Sequence, residues 1–267
     1  MKQSELKTLD TEIIRLATNF GPIGVRGLYY QAVCAGVMEK TDKGYDLLQR
    51  RLAMLRMGGQ VDWDLITDCS RNVQSVSTWN SMEDIITSAK KQFKMDTWIT
   101  QPCRVQLWLE KEGLAPLLED IITKYRVPLY PGKGYSSLSF TRQAALQAID
   151  WLDAGQRVIV LQWGDYDPSG VNIQESLANQ YKQFGAGECE MVRVGINSNH
   201  IDEYNLITRP TKTTDTRSKS FGDTRSVELD AIPPDTFKKW VSNEIEKYIN
   251  FPLWNEALAK EEAERNN

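Results

Sequence analysis

The chain has 267 residues, of which 41% are hydrophobic and 25% charged, and its formal net charge is −4. This composition suffices for one large or two modest domains with buried cores. The acidic net charge argues against a nucleic-acid-binding surface without excluding local basic patches. The single histidine excludes any site that needs two histidines. Four scattered cysteines favour neither a zinc site nor a disulfide framework, and the absence of a long apolar run or signal-like start predicts a cytoplasmic protein without a membrane segment.

Residues 1–75 predict three short helices followed by a strand or wing, a pattern typical of a winged-helix DNA-binding domain. The first helix ends at Gly21–Gly24, the second runs from Val25 to Met38, and the third ends at Gly58-Gly59. Val61 to Ile66 form the predicted strand or wing. The apolar faces of the first and third helices are formed by Leu9, Ile13, Ile14, Leu16 and Ala17, and by Tyr45, Leu48, Leu52 and Leu55.

The third helix is basic on its other sides, where it carries Arg50, Arg51 and Arg56. In a helix-turn-helix arrangement this helix would meet DNA, so these arginines are the candidate phosphate contacts. Basic helix faces are also commonly just solvated, and that alternative stays open. A helical connector follows, and we place it at residues 76–103.

Residues 104–267 alternate between strands and helices, which predicts an α/β domain with a mostly parallel sheet. The expected strands are residues 105–109, 127–130, 157–163 and 189–195, and the expected helices are 113–124, 141–153 and 168–183. Residues 207–226 are rich in Thr, Ser, Lys and Arg and predict an exposed loop. A closing helix is expected over residues 235–249, with frayed residues from Glu261 onward.

Acidic residues follow two of these strands. The segment Gly164-Asp165-Tyr166-Asp167-Pro168-Ser169-Gly170 comes directly after the apolar run Val158–Leu161, and Pro168 suits the first turn of the next helix. Glu110 follows the other strand. If these strands are neighbours in a parallel sheet, the carboxylates of Glu110, Asp165 and Asp167 converge at one edge, where hard oxygen ligands suit Mg²⁺. The alternative for each acid is that it only caps a helix.

Glu110 and the Asp165-x-Asp167-Pro168-x-Gly170 pattern resemble the metal site of a Toprim domain, and the resemblance is strongest to the topoisomerase VI A subunit and its meiotic double-strand-break relatives. In that family a corresponding glutamate and aspartate pair bind Mg²⁺, which implies Glu110, Asp165 and Asp167 as metal ligands. Between these motifs the family has K-G-x-P-D, whereas this chain has two serines, Ser136 and Ser137, in place of Pro-Asp. The layout and the segment Glu228–Ala231 also resemble phage and prophage proteins.

The N-terminal part carries a second resemblance, because Arg26-Gly27-Leu28-Tyr29-Tyr30 has the form of the family's R-x-x-Y-Y motif. The resemblance implies that Tyr30 is the nucleophile. Arg26 precedes it by one helical turn, where its charge would help a phenolate form or would hold a phosphate. The competing interpretation is that Tyr29 and Tyr30 are half-buried helix aromatics.

The resemblance implies an enzyme that cleaves double-stranded DNA by Mg²⁺-assisted transesterification, with Tyr30 attacking a phosphate. It also implies a homodimer, because the family draws its tyrosine and its metal site from different protomers. No G-x-x-x-x-G-K-[ST] motif occurs, so any ATP-driven step would need a separate ATPase subunit. Two alternatives remain: a hydrolytic nuclease in which water replaces Tyr30, and a non-catalytic DNA-binding protein in which the Toprim fold is structural.

Overall fold

The fold consists of N-terminal helices followed by an alternation of strands and helices. The computed structural model describes residues 3–67, 76–133, 136–211 and 221–266. Its helices there are α1 (Gln3–Phe20), α2 (Val25–Cys34), α3 (Asp42–Met57), α4 (Met82–Gln92), α5 (Glu119–Tyr125), α6 (Leu138–Asp153), α7 (Pro168–Gln183), α8 (Ser198–Glu203), α9 (Pro234–Glu246) and α10 (Phe251–Asn266). Its strands are β1 (Ile23–Gly24), β2 (Ile66–Thr67), β3 (Cys103–Leu109), β4 (Leu129–Pro131), β5 (Arg157–Trp163), β6 (Glu190–Gly195), β7 (Arg209–Pro210) and β8 (Arg225–Ser226).

The main sheet has four strands in the order β4-β3-β5-β6, and every neighbouring pair is parallel. The predicted parallel sheet flanked by helices is therefore confirmed. The strand predicted at 157–163 has those bounds, and the strands predicted at 105–109 and 189–195 differ by at most two residues at one end. Central parallel strands are buried on both faces, so their continuous apolar runs are a strong signal.

Successive residues of the central strands enter two different cores. Leu107 and Leu161 lie in the larger core, whereas Trp108 and Val160 lie in a smaller one beneath α6 and α7. This follows from the alternation of side chains along a strand. The larger core also contains buried residues of α1, α2 and α3, including Leu28. The N-terminal helices and the sheet thus share one hydrophobic core.

The three N-terminal helices are present, but the elements that follow α2 and α3 differ from the prediction. α2 ends at Cys34 rather than Met38, because Gly36 adopts a positive φ of 68°. After α3 the chain forms a 3-10 turn at Trp63–Leu65, and β2 then pairs in parallel with β1. The prediction of a strand over Val61 to Ile66 is therefore wrong, because the strand covers only Ile66–Thr67. A wing that continued past residue 67 would fall in residues 68–75, which lie outside the described residues.

Two further stretches refine the predicted alternation. The helix expected at 113–124 begins as a 3-10 helix, Glu112–Leu118, and becomes α5 only after it, because Pro116 lacks the N–H that an α-helix interior needs. The loop expected at 207–226 contains the antiparallel pair β7 and β8, while residues 212–220 lie outside the described residues. α4 confirms a helix in the connector. Within the described ranges, no helix combines the length and the hydropathy that a membrane-spanning segment needs.

The frayed end expected from Glu261 onward is wrong, because α10 continues through Asn266 and buries Glu261. The Arg126 guanidinium donates to both carboxylate oxygens of Glu261, at 2.5 and 2.9 Å, and the backbone N–H of Met95 donates to Oε2 at 2.6 Å. Arg265 adds a contact from the last turn of α10. A buried carboxylate with these partners anchors the helix.

We therefore expect Glu261→Gln to lower the free energy of unfolding by about 2 kcal/mol, the scale of hydrogen bonds to charged groups. Urea unfolding followed by circular dichroism measures this change. Glu262→Gln is the matched control, because Glu262 is exposed on the same turn. Equal stability of the two variants would contradict the anchoring role of Glu261.

Candidate functional site

The tips of β3 and β5 bring Glu110 and Asp165 together. Leu109 lies opposite Trp163 in the parallel register, so Glu110 and the Gly164-Asp165 turn leave the sheet side by side. The backbone N–H of Asp165 donates to Glu110 Oε2 at 2.9 Å. The structure thus has the convergence of these two strand ends that the sequence predicts.

The glycines of the acidic turn leave room for this arrangement. A Cβ on Gly164 would lie 2.5 Å from Glu110 Oε2, and a Cβ on Gly170 would lie 2.3 Å from the Asp165 carbonyl oxygen. At Gly170 the contact is with backbone and excludes any side chain, whereas a side chain at Gly164 would require the ends of the Glu110 and Gln162 side chains to move. Arg193 fixes the same turn from β6, because its Nη2 donates to the Asp165 carbonyl at 2.6 Å.

Asp167 caps the N-terminus of α7, which is the role that the sequence left open as the alternative to metal binding. Its Oδ1 accepts from the Gly170 N–H at 2.7 Å, and Arg209 Nη2 lies 3.5 Å from its Oδ2. Its charge still reaches Glu110. Burial raises the pKa of Glu110 to about 7, with contributions from the carboxylates of Asp165 and Asp167.

Lys111 is a half-buried cation at the centre of the site. Its Nζ lies 2.5 Å from Asp230 Oδ2, 3.1 Å from Glu228 Oε2 and 3.2 Å from Asp165 Oδ2. Burial opposes the charged ammonium, but these three carboxylates outweigh it and raise the pKa of Lys111. Lys111 therefore joins the β5 tip to the segment that precedes α9.

Glu228 is the acid on which most cations of the site converge. It is buried, and burial alone would raise its pKa, but Lys111, the Tyr30 hydroxyl and Arg209 lower it to about 2. Among the described residues, its carboxylate forms ion pairs with Arg209 at 2.6 Å, Lys111 at 3.1 Å, Arg26 at 3.8 Å and Lys40 at 3.9 Å. Glu228 thus remains ionised across the ordinary pH range.

Tyr30 lies beside this cluster within the same chain. Its hydroxyl donates a hydrogen bond to Glu228, and its side chain is only 4% exposed. Burial and the Glu228 charge raise the pKa of Tyr30, and the opposing effects of Lys111 and Arg26 are smaller. The phenol is therefore held protonated in this arrangement, and Arg26 does not make it a phenolate.

The three carboxylates predicted to hold Mg²⁺ are only partly arranged for it. Asp165 accepts from the Leu229 N–H at 2.8 Å and contacts Lys111. In the described ranges, no group of three or more His, Cys, Asp or Glu side chains could hold a metal ion. The raised pKa of Glu110 comes mainly from burial and secondarily from the carboxylates of Asp165 and Asp167. Mg²⁺ often takes only one or two carboxylates, so the donor chemistry of Glu110 and Asp165 suits it.

A cleft of about 900 Å³ separates α2 and α3 from this edge of the sheet. Its basic lining residues are Arg26, Arg56, Lys111, Lys133 and Arg209, and its acidic ones are Glu110, Glu112, Asp165, Glu228 and Asp230. A neighbouring cavity of about 330 Å³ is lined by Tyr30 and Lys40, among others. The site is therefore open to a sizeable ligand on both sides of Glu228.

The three arginines predicted to bind DNA have different surroundings. Arg51 donates to Asp10 of α1, with Nε 2.7 Å from Oδ1, so its charge is engaged within the protein. Arg50 is exposed. Arg56 stacks over the Trp63 ring at 4.2 Å and lines the cleft. Of the three, Arg56 is the one that faces the candidate site.

The sequence-based prediction missed several residues of the site, among them Lys111, Arg193, Arg209, Glu228 and Asp230. Lys111 could have been found, because it lies between Glu110 and Glu112 immediately after β3. Glu228 and Asp230 lie in the segment Glu228–Ala231, which resembles phage proteins, but no sequence pattern near them indicates a contact with Tyr30. Arg209 lay in a stretch predicted to be an exposed loop.

Comparison of the chain with protein-family models, with curated proteins and with solved structures found no match. The likeness to the Toprim and topoisomerase VI A pattern therefore remains one of short motifs.

The depressed pKa of Glu228 predicts a pH-dependent contribution to stability. Since the folded pKa is about 2 against an ordinary 4.5, the contribution is present above the ordinary value and is lost as pH falls toward 2. Glu228→Gln should therefore lower the free energy of unfolding by about 2 kcal/mol near pH 7. The difference from the wild type should shrink by about pH 3.

Urea unfolding at the two pH values measures this difference. Glu188→Gln is the control, because Glu188 is exposed near the start of β6. A wild-type advantage that stays constant down to the acidic value would contradict the ion-pair role of Glu228.

Proposed function

We propose that this protein cleaves phosphodiester bonds of double-stranded DNA with the help of Mg²⁺, in the cleft between α2 and the tips of β3 and β5. The fold proposed with it is a winged-helix-like N-terminal part followed by a Toprim-like sheet. One observation carries the proposal: Glu110, Asp165 and Lys111 line one cleft, and Tyr30 of the same chain lines the neighbouring cavity and donates to Glu228, which borders both. Carboxylates at strand tips together with cations and a phenol are groups used in phosphoryl chemistry.

The charges of the cleft support a phosphate-bearing ligand. Arg26, Arg56 and Arg209 line it together with Lys133, and Lys133 is a largely exposed side chain. Arginine forks suit phosphate oxygens, and lysines add point charges. The net charge of −4 does not exclude this proposal, because Arg26, Arg56 and Lys133 lie at one opening, although as many acidic as basic residues line the same cleft.

Glu110 and Asp165 are the residues proposed to hold Mg²⁺, with Asp167 close enough to influence Glu110 electrostatically. A bound Mg²⁺ would supply charge stabilisation at the phosphate oxygens. The residues of the chain have separate tasks. Lys111 neutralises the adjoining acids, Arg193 fixes the acidic turn, and Arg26 with Arg209 would orient the phosphate.

Two nucleophiles are compatible with this cleft, and the state of Tyr30 favours water. Its hydroxyl is buried, donates to Glu228 and has a raised pKa. Glu228 is a weak base, because its pKa is about 2. Attack by Tyr30 would require this hydrogen bond to break and the phenol proton to leave by another route. We therefore favour hydrolysis, and transesterification through Tyr30 is the second candidate, supported by its nearness to Lys111.

The partners implied by the resemblance belong to this proposal as well. The Tyr30 hydroxyl and Lys111, which follows β3, both contact Glu228 within one chain, so a homodimer is not needed to bring them together. A separate ATPase subunit would be required only for a strand-passing enzyme. A DNA-binding protein without catalysis is the remaining alternative, and cleavage of DNA separates it from both enzymatic candidates.

Incubation with supercoiled plasmid and Mg²⁺ tests the proposal. We expect Glu110→Gln and Asp165→Asn each to lower the rate of nicking or linearisation at least about 100-fold, because each removes a charge needed for the cation. Asp153→Asn, an exposed change at the end of α6, should keep the wild-type rate. Wild-type cleavage by both site variants, with circular dichroism showing folded protein, would overturn the site assignment.

Tyr30→Phe separates the two nucleophiles. The ring and its packing remain, so hydrolysis should continue within about tenfold of the wild-type rate, and no protein should stay attached to DNA after detergent treatment. Tyr29→Phe is the matched control, because the Tyr29 hydroxyl bonds the loop at Thr41 instead. Loss of cleavage in Tyr30→Phe alone, with a covalent adduct in the wild type, would instead establish transesterification.

A further inference from the structure

α4 carries an apolar stripe that the described parts of the chain do not cover. Met82, Ile85, Ile86 and Ala89 recur at helical spacing, and Phe93 continues the stripe one turn later. None of the side chains of α4 is buried among the described residues. Met82 is 75% exposed and Ile86 55% exposed. An amphipathic helix with its apolar face in water indicates a contact surface.

The segment before α4 extends the same surface. Val76 is 87% exposed and Trp79 is 44% exposed, and the Trp79 indole donates to Ser88 of α4 at 3.3 Å. Trp79 is thus held against the helix by a hydrogen bond while much of its ring faces solvent. Large aromatic and methionine side chains are enriched in protein interfaces.

The charges beside the stripe indicate what covers it. Glu83 and Lys90 are seven residues apart, which is close to two helical turns, so they lie on the same flank of the stripe. Two copies of α4 that pack antiparallel would place Glu83 of each copy opposite Lys90 of the other. In parallel copies this flank would instead face the opposite flank of the other helix, so Glu83 and Lys90 would not pair. Asp84 and Lys91 lie on the far side of the helix and do not border the stripe.

We propose that α4 is a self-association surface, through which a second copy of this chain packs antiparallel on the Met82, Ile86 and Phe93 stripe with two Glu83–Lys90 pairs at its flank. Flanking charges of this kind set the orientation of paired helices. The surface stands independently of the catalytic proposal, because it involves none of the residues that line the cleft.

Light scattering coupled to size-exclusion chromatography over a wide concentration range tests the apolar part. The wild type should have twice the mass of one chain, and Ile86→Glu should have the mass of one chain. Leu146→Glu on α6, which alters another exposed aliphatic side chain, should remain dimeric. A monomeric wild type, or an Ile86→Glu variant that stays dimeric, would overturn the proposal.

Exchanging the charges of Glu83 and Lys90 tests whether a second copy of the chain covers α4 and whether it packs antiparallel. Lys90→Glu should weaken the dimer at least about tenfold, because it opposes Glu83 of the second copy, and Glu83→Lys with Lys90→Glu in one chain should restore it. Lys91→Glu is the matched control on the far side of the helix and should have no effect. Failure of the exchanged variant to dimerise, or equal loss with Lys91→Glu, would overturn antiparallel pairing and favour a different partner.

Discussion

The arrangement of the whole site depends on one buried ammonium group, that of Lys111. A charge removed from water must find partners within the protein, and Lys111 finds them in Asp165, Glu228 and Asp230. These acids come from the β5 tip and from the segment before α9. Glu228 in turn accepts from Tyr30 of α2. A single cation therefore fixes three distant parts of the chain around one cleft.

This network has consequences for chemistry at the strand tips. Lys111 offsets Asp165 and the acids beyond it, whereas Glu110 keeps a raised pKa beside Asp165 and Asp167. Burial is the main cause of that raised pKa, and the Arg193 guanidinium also lies against this side of the acidic turn, where we propose that Mg²⁺ binds. The same network holds the Tyr30 phenol protonated, which is why its position beside the strand tips does not by itself make it a nucleophile.

The elements that the sequence predicts well are those whose signals are local. Val158–Leu161 between polar ends predicts β5, and Asp167-Pro168 predicts the start of α7. The pairing of Glu110 with Asp165 follows once β3 and β5 are neighbours. The roles of Glu228 and Arg209 could not be predicted, because their partners lie far away in the chain. The prediction that the chain frays from Glu261 onward is wrong for the same reason, because Arg126, the ion-pair partner of Glu261, lies far away in the chain.

A double-mutant cycle of Lys111→Met and Asp230→Asn, followed by urea unfolding, tests this account most directly. Lys111→Met removes the cation that Asp230 contacts, and Asp230→Asn removes the nearest of the three carboxylates around Lys111, whereas the double variant removes both members of this pair. The account predicts that the double variant is more stable than the sum of the single effects implies, with a coupling of at least about 1 kcal/mol. Effects that add to within about 0.5 kcal/mol would show that the two charges are independent and would contradict the account.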